Sequence, residues 1–426
     1  MIIKFINANI LNEDFDILNN KILIVKNNLI DYIGDDKNFS YDFDRIIDCK
    51  NNYLIPTFIN AHSHNAMVFA RNIADDMPLL DWLNNQIFPL ERKLTEEDVY
   101  YFTILGIMEG LASGISLSFD MYKFYYTMAD AYLRTGARVN ILESLTKYDE
   151  KIAPKEYHKN LNNYKNDNGN LIRYSLGLHA EYTNDDWTFK LIKEISKEYK
   201  APCFMHNSET KKEFDECIDR NNMTPTEVFE KYDLFEYGGG GFHCVYITDN
   251  DIEIFKKHKL SIITNSGSNV KLASGIARIK TFLNKNINVC LGTDGAASNN
   301  AIDFFREMYL TSVLSKIEQN DPASIPAKQI VKMATINGAK CMGYDNIGVL
   351  KEGFLADICM IDVNKSNMYP HSDFLKAIVY SANKTNVKMT MVDGKILYED
   401  GKYFINEDEE YIYKKCDELL KNLISR

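Results

Sequence analysis

Residues 53–64 read YLIPTFINAHSH, a short apolar run that ends in two histidines one residue apart. Such a run predicts a buried strand. On a strand, residues i and i+2 point to the same side, so His62 and His64 offer both imidazoles together, as two ligands of one metal require. Standing alone, an H-x-H after a strand is more simply a polar loop, so the reading depends on what the rest of the chain brings to it.

Seven more short apolar runs follow: ISLSFDMY, RVNILESL, IRYSLGLH, APCFMHN, GFHCVYI, LSIITNS and INVCLGTD. Longer segments separate them, and TEEDVYYFTILGIMEGLASG and NDDWTFKLIKEISKEYK space their apolar residues by three and four, as amphipathic helices do. Eight strands alternating with helices predict an α/β fold, a (β/α)8 TIM-like barrel over residues 55–350. Both chain ends have a different texture. IIKFINANIL and KILIVKNNLIDYIG near the start, with LADICMIDV and KMTMVDGKILYEDGKYF near the end, are β-rich, and Asp393-Gly394 is a two-residue hairpin signal. Neither end has enough strands to be stable alone, so residues 1–54 and 351–426 are expected to build one small β-sandwich domain. KNLNNYKNDNGN, near 159–170, reads as an exposed loop.

The chain has 426 residues, 45% hydrophobic and 26% charged, enough apolar surface for a large core. Lys plus Arg total 49 against 60 Asp plus Glu, a formal charge of -11, which argues against nucleic-acid and anionic-membrane partners. No apolar run of about 18 residues occurs, and MIIKFINANILNEDFD turns polar before a signal-peptide core can form. The eight cysteines are scattered without a C-x-x-C. The expectation is a soluble, cytoplasmic protein with reduced thiols and no membrane segment.

Five of the eight histidines (62, 64, 179, 206 and 243) fall at predicted strand ends, where a barrel collects catalytic groups. His206 ends APCFMH and Asp294 ends INVCLGTD, so His62, His64, His206 and Asp294 supply four N/O donors from three strands. Imidazoles plus a carboxylate, without cysteine, suit one divalent ion, Zn2+ or Fe2+, that activates a water for hydrolysis. Singly, His206 reads as a core histidine and Asp294 as a helix cap. Glu209, three residues after His206, and His243 are candidate proton carriers; their plainer roles are a helix N-terminal charge and a buried histidine bonded to a carbonyl.

HSHNAMVFARNIADDMPLLDWLNNQIFPLE, HAEYT, MHNSET, HCVYIT, SNVKLASGIA and LGTDGAASNN, in that order, resemble the methylthioadenosine/S-adenosylhomocysteine deaminase branch of the amidohydrolase superfamily. GVLKEGFLADICMID and MVDGKILYEDGKY are similar to that superfamily's C-terminal β-sandwich signature. The resemblance implies that His62, His64, His206 and Asp294 hold the metal, that Glu209 protonates purine N1, and that His243 and Asp294 manage the protons of the attacking water. It further implies that His179 contacts the purine, Trp82 packs on the nucleoside, Glu91 accepts from the ribose hydroxyls and Ser298 lies beside the base. Read without it, these four are a strand-end packing group, a helix anchor, a solvated charge and a helix cap. The product would be the inosine analogue plus ammonia, and the assembly a homo-oligomer.

Some members of that branch carry an arginine on the third strand for the amino-acid tail of S-adenosylhomocysteine; here Glu143 takes its place. An acid there disfavours a carboxylate, which shifts the expected substrate toward 5'-methylthioadenosine, 5'-deoxyadenosine or adenosine, although it could pair with the tail's ammonium. Glu181 stands where the family usually has proline, and adds negative charge near the mouth; NSGSN also lacks a usual proline, and Thr57 replaces a common glycine. The competing readings are a same-fold aminohydrolase for guanine, 8-oxoguanine, a pterin or a triazine, and a scaffold that only binds ligand. His179-Ala180-Glu181 followed by Pro202-Cys203 imitates a cytidine-deaminase zinc motif, but His206 replaces its last cysteine. Gly238 to Gly241 read as a turn without the G-K-[ST] of a phosphate loop, and His158, His258 and His371 as surface positions.

Overall fold

The computed structural model of the chain describes residues 1–73, 75–77, 83–143, 145–147 and 171–426. The sequence-predicted loop at 159–170, Trp82 and His158 lie outside the described residues. In chain order the strands are β1 (Ile2–Leu11), β2 (Ile17–Lys26), β3 (Leu29–Gly34), β4 (Arg45–Asp48), β5 (Tyr53–Pro56), β6 (Phe58–His64), β7 (Ile115–Met121), β8 (Arg138–Leu142) and β9 (Ile172–Gly177). They continue as β10 (Cys203–Asn207), β11 (Gly239–His243), β12 (Ser261–Thr264), β13 (Asn288–Leu291), β14 (Asp294–Gly295), β15 (Ile358–Ile361), β16 (Val387–Val392), β17 (Lys395–Glu399) and β18 (Lys402–Tyr403).

Strands β6 to β13 run parallel, each beside the last. The ring closes because the segment after β13 continues as β14, whose Asp294 and Gly295 pair in parallel with Ser63 and His64 of β6. Asn60 and Thr293 bond to each other twice across the same seam, at 2.7 and 2.9 Å. This is the predicted (β/α)8 barrel. Its interior is filled by Ile59, Leu117, Phe119, Phe204, Phe242 and Ile263, one packed cluster of fully buried side chains. Gly292 lets the closing segment pass the first strand, since a Cβ there would stand 2.8 Å from both the backbone nitrogen and the Cβ of His62.

The helices between strands start on a repeated signal. Thr95, Thr210, Thr224 and Thr248 each cap a helix with an acid three residues on, Asp98, Glu213, Glu227 and Asp251, that bonds back toward the turn. One unpaired N–H at each helix start is satisfied in this way, and the carboxylate also suits the positive end of the helix dipole.

Strands from both chain ends form one mixed sheet in the order β18-β17-β16-β15-β5-β1-β2-β3, with β4 on β1. The sheet folds over its own core of Phe5, Leu23, Leu54, Met360 and Met389, and Arg45 of β4 reaches Glu399 of β17 at 2.9 Å. Asp393 and Gly394 both take positive φ, 50° and 75°, the two-residue hairpin geometry their dipeptide predicts.

Three expectations change. YLIPTFIN is two strands, not one: β5 joins the terminal sheet and β6 the barrel, with Thr57 between them. A continuous apolar run gave no sign of where the chain changes sheets. The glycine run is mainly strand rather than turn, with Gly239 to Gly241 opening β11; a Cβ at Gly239 would stand 1.8 Å from the Cys203 carbonyl oxygen, so the close approach of β10 requires glycine. The C-terminal segment, assigned with its β-rich runs to the small β-sandwich domain, ends in a helix, Glu409–Ser425, whose Ile412, Leu419 and Leu423 pack into the barrel-side core.

Candidate metal centre and active site

The five strand-end histidines meet at the C-terminal mouth of the barrel. His62 and His64 come from β6, His206 from β10, His243 from the end of β11, and His179 follows β9. Asp294 Oδ1 lies 3.5 Å from His62 Nε2 and 3.2 Å from His64 Nε2. The ring of His62 is 4.9 Å from that of His206, and the rings of His64 and His206 stack at 5.6 Å. Ligand atoms of His62, His64 and Asp294 lie within 4.8 Å of one another, as do those of His62, His206 and His243.

Supporting bonds orient each donor. His206 Nδ1 donates to the His179 carbonyl at 2.8 Å and His64 Nδ1 donates to the Met121 carbonyl, which leaves each Nε2 lone pair facing the site. Asp294 Oδ2 accepts from Ser268 Oγ at 2.6 Å and Ser298 Oγ at 2.7 Å, so its other oxygen faces the histidines. His62 is wholly buried against Phe242, ring to ring at 3.9 Å, and neither of its nitrogens has a hydrogen-bond partner among the described residues. A buried imidazole without a partner is costly unless something else binds it. Burial holds His62 down to about 3 and His206 well below the ordinary histidine range, so both are neutral ligands at neutral pH. Burial alone would raise the Asp294 carboxyl, but His62 and His64 hold it well below its usual range. Three imidazoles and one carboxylate fit a divalent cation.

The proton carriers stand beside this set. Glu209 Oε2 is 3.8 Å from His243 Nε2, while His243 Nδ1 donates to Asn269 Oδ1 at 2.8 Å. Burial raises the Glu209 carboxyl above its ordinary value, against the pull of His243. Its loop is pinned by Glu213, whose carboxylate accepts from the backbone N–H of Ser208 at 3.1 Å and of Glu209 at 2.8 Å. Ser208, His243 and Asp294 all have positive φ, 53°, 66° and 62°, a conformation that costs energy in non-glycine residues and gathers at functional sites.

A cavity of about 680 Å³ opens over these groups and is lined by His64, His179, His206, Glu209, His243, Asp294 and Ser298. Glu91 and Glu143 line its wall, with Glu91 Oε1 accepting from Tyr122 at 2.7 Å. Among the described residues, every predicted site residue except the fully buried His62 therefore lines one cavity. Glu181 is different: it is buried and bound to Arg220 and Asn221, so the negative charge expected near the mouth is neutralised. His371 is exposed as expected, whereas His258 is half-buried beside Glu230, 2.7 Å away.

Sequence reasoning missed Ser268 and Asn269, which steady Asp294 and His243, although both lie in the quoted SNVKLASGIA. It also missed Arg92, Tyr122, Lys123 and Tyr182 on the cavity wall. Tyr122 and Lys123 directly follow β7, and their place at the C-terminal end of a barrel strand was the available signal.

The amidohydrolase family model matches residues 53–397. A 5-methylthioadenosine/S-adenosylhomocysteine deaminase of Acetivibrio thermocellus is 36% identical over 428 residues, covering 98% of each chain. Among solved structures, an adenosine deaminase from Xanthomonas campestris with bound zinc superposes with a TM-score of 0.92 at 24% identity, covering 100% of this chain and 98% of its own. Guanine deaminase from C. acetobutylicum gives 0.83 at 20% identity, covering 93% of this chain and 100% of its own. Both likenesses concern the fold. The full-length sequence match goes further, and the chain belongs to the amidohydrolase family, in its 5-methylthioadenosine/S-adenosylhomocysteine deaminase branch.

Proposed function

We propose that the protein is a metal-dependent aminohydrolase that replaces the 6-amino group of an adenosine-type nucleoside with oxygen and releases ammonia. The observation that carries this reading is the juxtaposition of two metal-capable triads that share His62, one with His64 and Asp294 and one with His206 and His243, with Glu209 beside His243 under a nucleoside-sized cavity. The deaminase-named relatives, aligned over almost the whole chain, support it.

In this reading His62, His64, His206 and Asp294 hold one zinc ion, in preference to ferrous iron. The ion supplies Lewis-acid activation of a water molecule. Asp294, held by two serine hydroxyls through Oδ2, and His243, oriented by Asn269, accept the proton of the attacking water. Glu209, its carboxyl raised by burial, delivers a proton to purine N1. Water adds at C6, the C6–N bond breaks, and the amine leaves protonated as ammonia. His179 and Ser298 border the base, and Trp82 packs on the nucleoside.

Glu91 accepts the ribose hydroxyls. Tyr122 holds one of its oxygens, leaving the other for the sugar. Glu91→Ala should raise KM for nucleosides roughly 10- to 100-fold, the effect of losing a charged hydrogen bond, while a free purine base is unaffected. Side-by-side KM measurements on adenosine and adenine check this, and an unchanged ratio removes Glu91 from the sugar site.

Neutral 5'-substituents are preferred over the homocysteine tail, because Glu143 lines the cavity at the third strand's end. Ammonia release from 5'-methylthioadenosine, 5'-deoxyadenosine, adenosine, S-adenosylhomocysteine and guanine, on metal-loaded protein, tests the whole reading. Turnover of the neutral adenosines with poor S-adenosylhomocysteine turnover supports it. Efficient S-adenosylhomocysteine turnover overturns the role of Glu143, and guanine turnover alone overturns the substrate class.

A further inference from the structure

The end of the barrel opposite the catalytic mouth carries two adjoining cavities that the deaminase chemistry does not use. One, of about 650 Å³, is bounded by Ser261 and Asn288, the first residues of β12 and β13. The other, of about 490 Å³, is bounded by residues near the starts of β9, β10 and β11. Lys259, Ser261 and Lys340 line both. Lys280 adds a third cation to the first cavity, and Arg173 and Lys200 add two to the second.

Among the described residues no carboxylate lines either cavity, in a chain whose acids outnumber its bases by 60 to 49. Nearby lysines follow the opposite pattern. Lys256 and Lys285 pair with Glu253, and Lys257 with Glu230, whereas Lys200, Lys259, Lys280 and Lys340 have no ion-pair partner among the described residues. Arg173 is fixed in place, stacked 3.6 Å over the Tyr344 ring and donating to the Gly343 carbonyl at 3.0 Å. Neutral donors stand among the cations: the amides of Asn284 and Asn286 and the Ser261 hydroxyl, which accepts from the Asn288 amide at 3.0 Å.

Like charges gathered in a concave site raise the local potential and draw in a counter-ion. Ammonium groups act as point-charge binders of phosphate oxygens, the amides and hydroxyl supply further hydrogen bonds, and the volumes suit a small metabolite. We propose that the joined cavities bind a small phosphate-bearing anion, at a second site separated from the catalytic mouth by the length of the barrel.

The test is calorimetric titration of the metal-loaded full-length protein with inorganic pyrophosphate at constant ionic strength, repeated on metal-free protein. Saturable binding with Kd below about 1 mM is expected in both states. Lys259→Gln with Lys340→Gln should weaken it at least about tenfold while leaving deaminase turnover unchanged, because neither lysine approaches the reacting atoms. Lys280→Gln alone, with folding checked by circular dichroism, serves if the double variant does not fold. Absence of saturable binding overturns the proposal. So does binding that the variants leave unchanged, which places the anion elsewhere, and so does binding that requires the metal, which assigns the anion to the catalytic centre.

Discussion

Glu209→Gln should keep its full complement of metal and lose about 10²- to 10⁴-fold in kcat, the range for removing a positioned general acid. The variant keeps size and shape, and Glu209 is not among the residues whose donor atoms cluster for a metal. Its loop is held independently, by Glu213 on the backbone N–H groups of Ser208 and Glu209. The amide cannot carry a proton to the ring nitrogen, and it replaces the carboxyl oxygen that stands 3.8 Å from His243 Nε2. Metal analysis and steady-state kinetics on one preparation separate the outcomes. Loss of metal together with activity would make Glu209 a structural support, and near-normal turnover would leave the proton donor elsewhere.

The features legible in the sequence are those set by local rules. H-x-H at one strand end and a histidine at another report short-range geometry, and the structure has both; Asp294, read as ending a strand, stands three residues past β13, where it opens β14. The change of sheet at Thr57 was not legible, because buried apolar residues stand on both sides of it, Leu54 and Ile55 before and Phe58 and Ile59 after, so that YLIPTFIN reads as one strand. The roles of Ser268 and Asn269 were hidden for a related reason. Both residues lie in the short helix Ser266–Lys271 after β12, and they meet Asp294 and His243 only because the barrel brings three strand ends together. Glu181 shows the reverse error: an acid near the mouth looked free in sequence, while its partners, Arg220 and Asn221, stand about 40 residues later.

The largest stability effect should come from a buried pair that joins the barrel to the terminal sheet. Arg138, the first residue of β8, is wholly buried, and its guanidinium meets Asp357 through Nε at 3.0 Å and Nη2 at 2.9 Å. Asp357, directly before β15, also accepts from Ser116 Oγ at 3.1 Å and from the Asp393 backbone N–H at 2.8 Å. Removing one member of a buried ion pair deprives the other charge of its main partner, which typically costs about 3–5 kcal/mol, whereas replacing both with apolar groups can be nearly neutral; Arg138 also has Asp393 Oδ1 at 3.6 Å, which places Asp357→Ala at the lower end of that range. Asp357→Ala should therefore destabilise by about 3 kcal/mol, and Arg138→Met by about 3–5 kcal/mol. The double variant should cost clearly less than the sum of the two, because the Arg138 charge is removed together with its main partner; what remains is the loss of acceptor for Ser116 and the Asp393 amide. Urea unfolding of the four proteins, followed through both far-ultraviolet dichroism and tyrosine fluorescence, measures this coupling and reports whether barrel and terminal sheet unfold together. Additive losses would mean that the pair is solvated in the folded protein. Coupling together with two separated transitions would mean that the pair stabilises its surroundings without tying the two units into one cooperative fold.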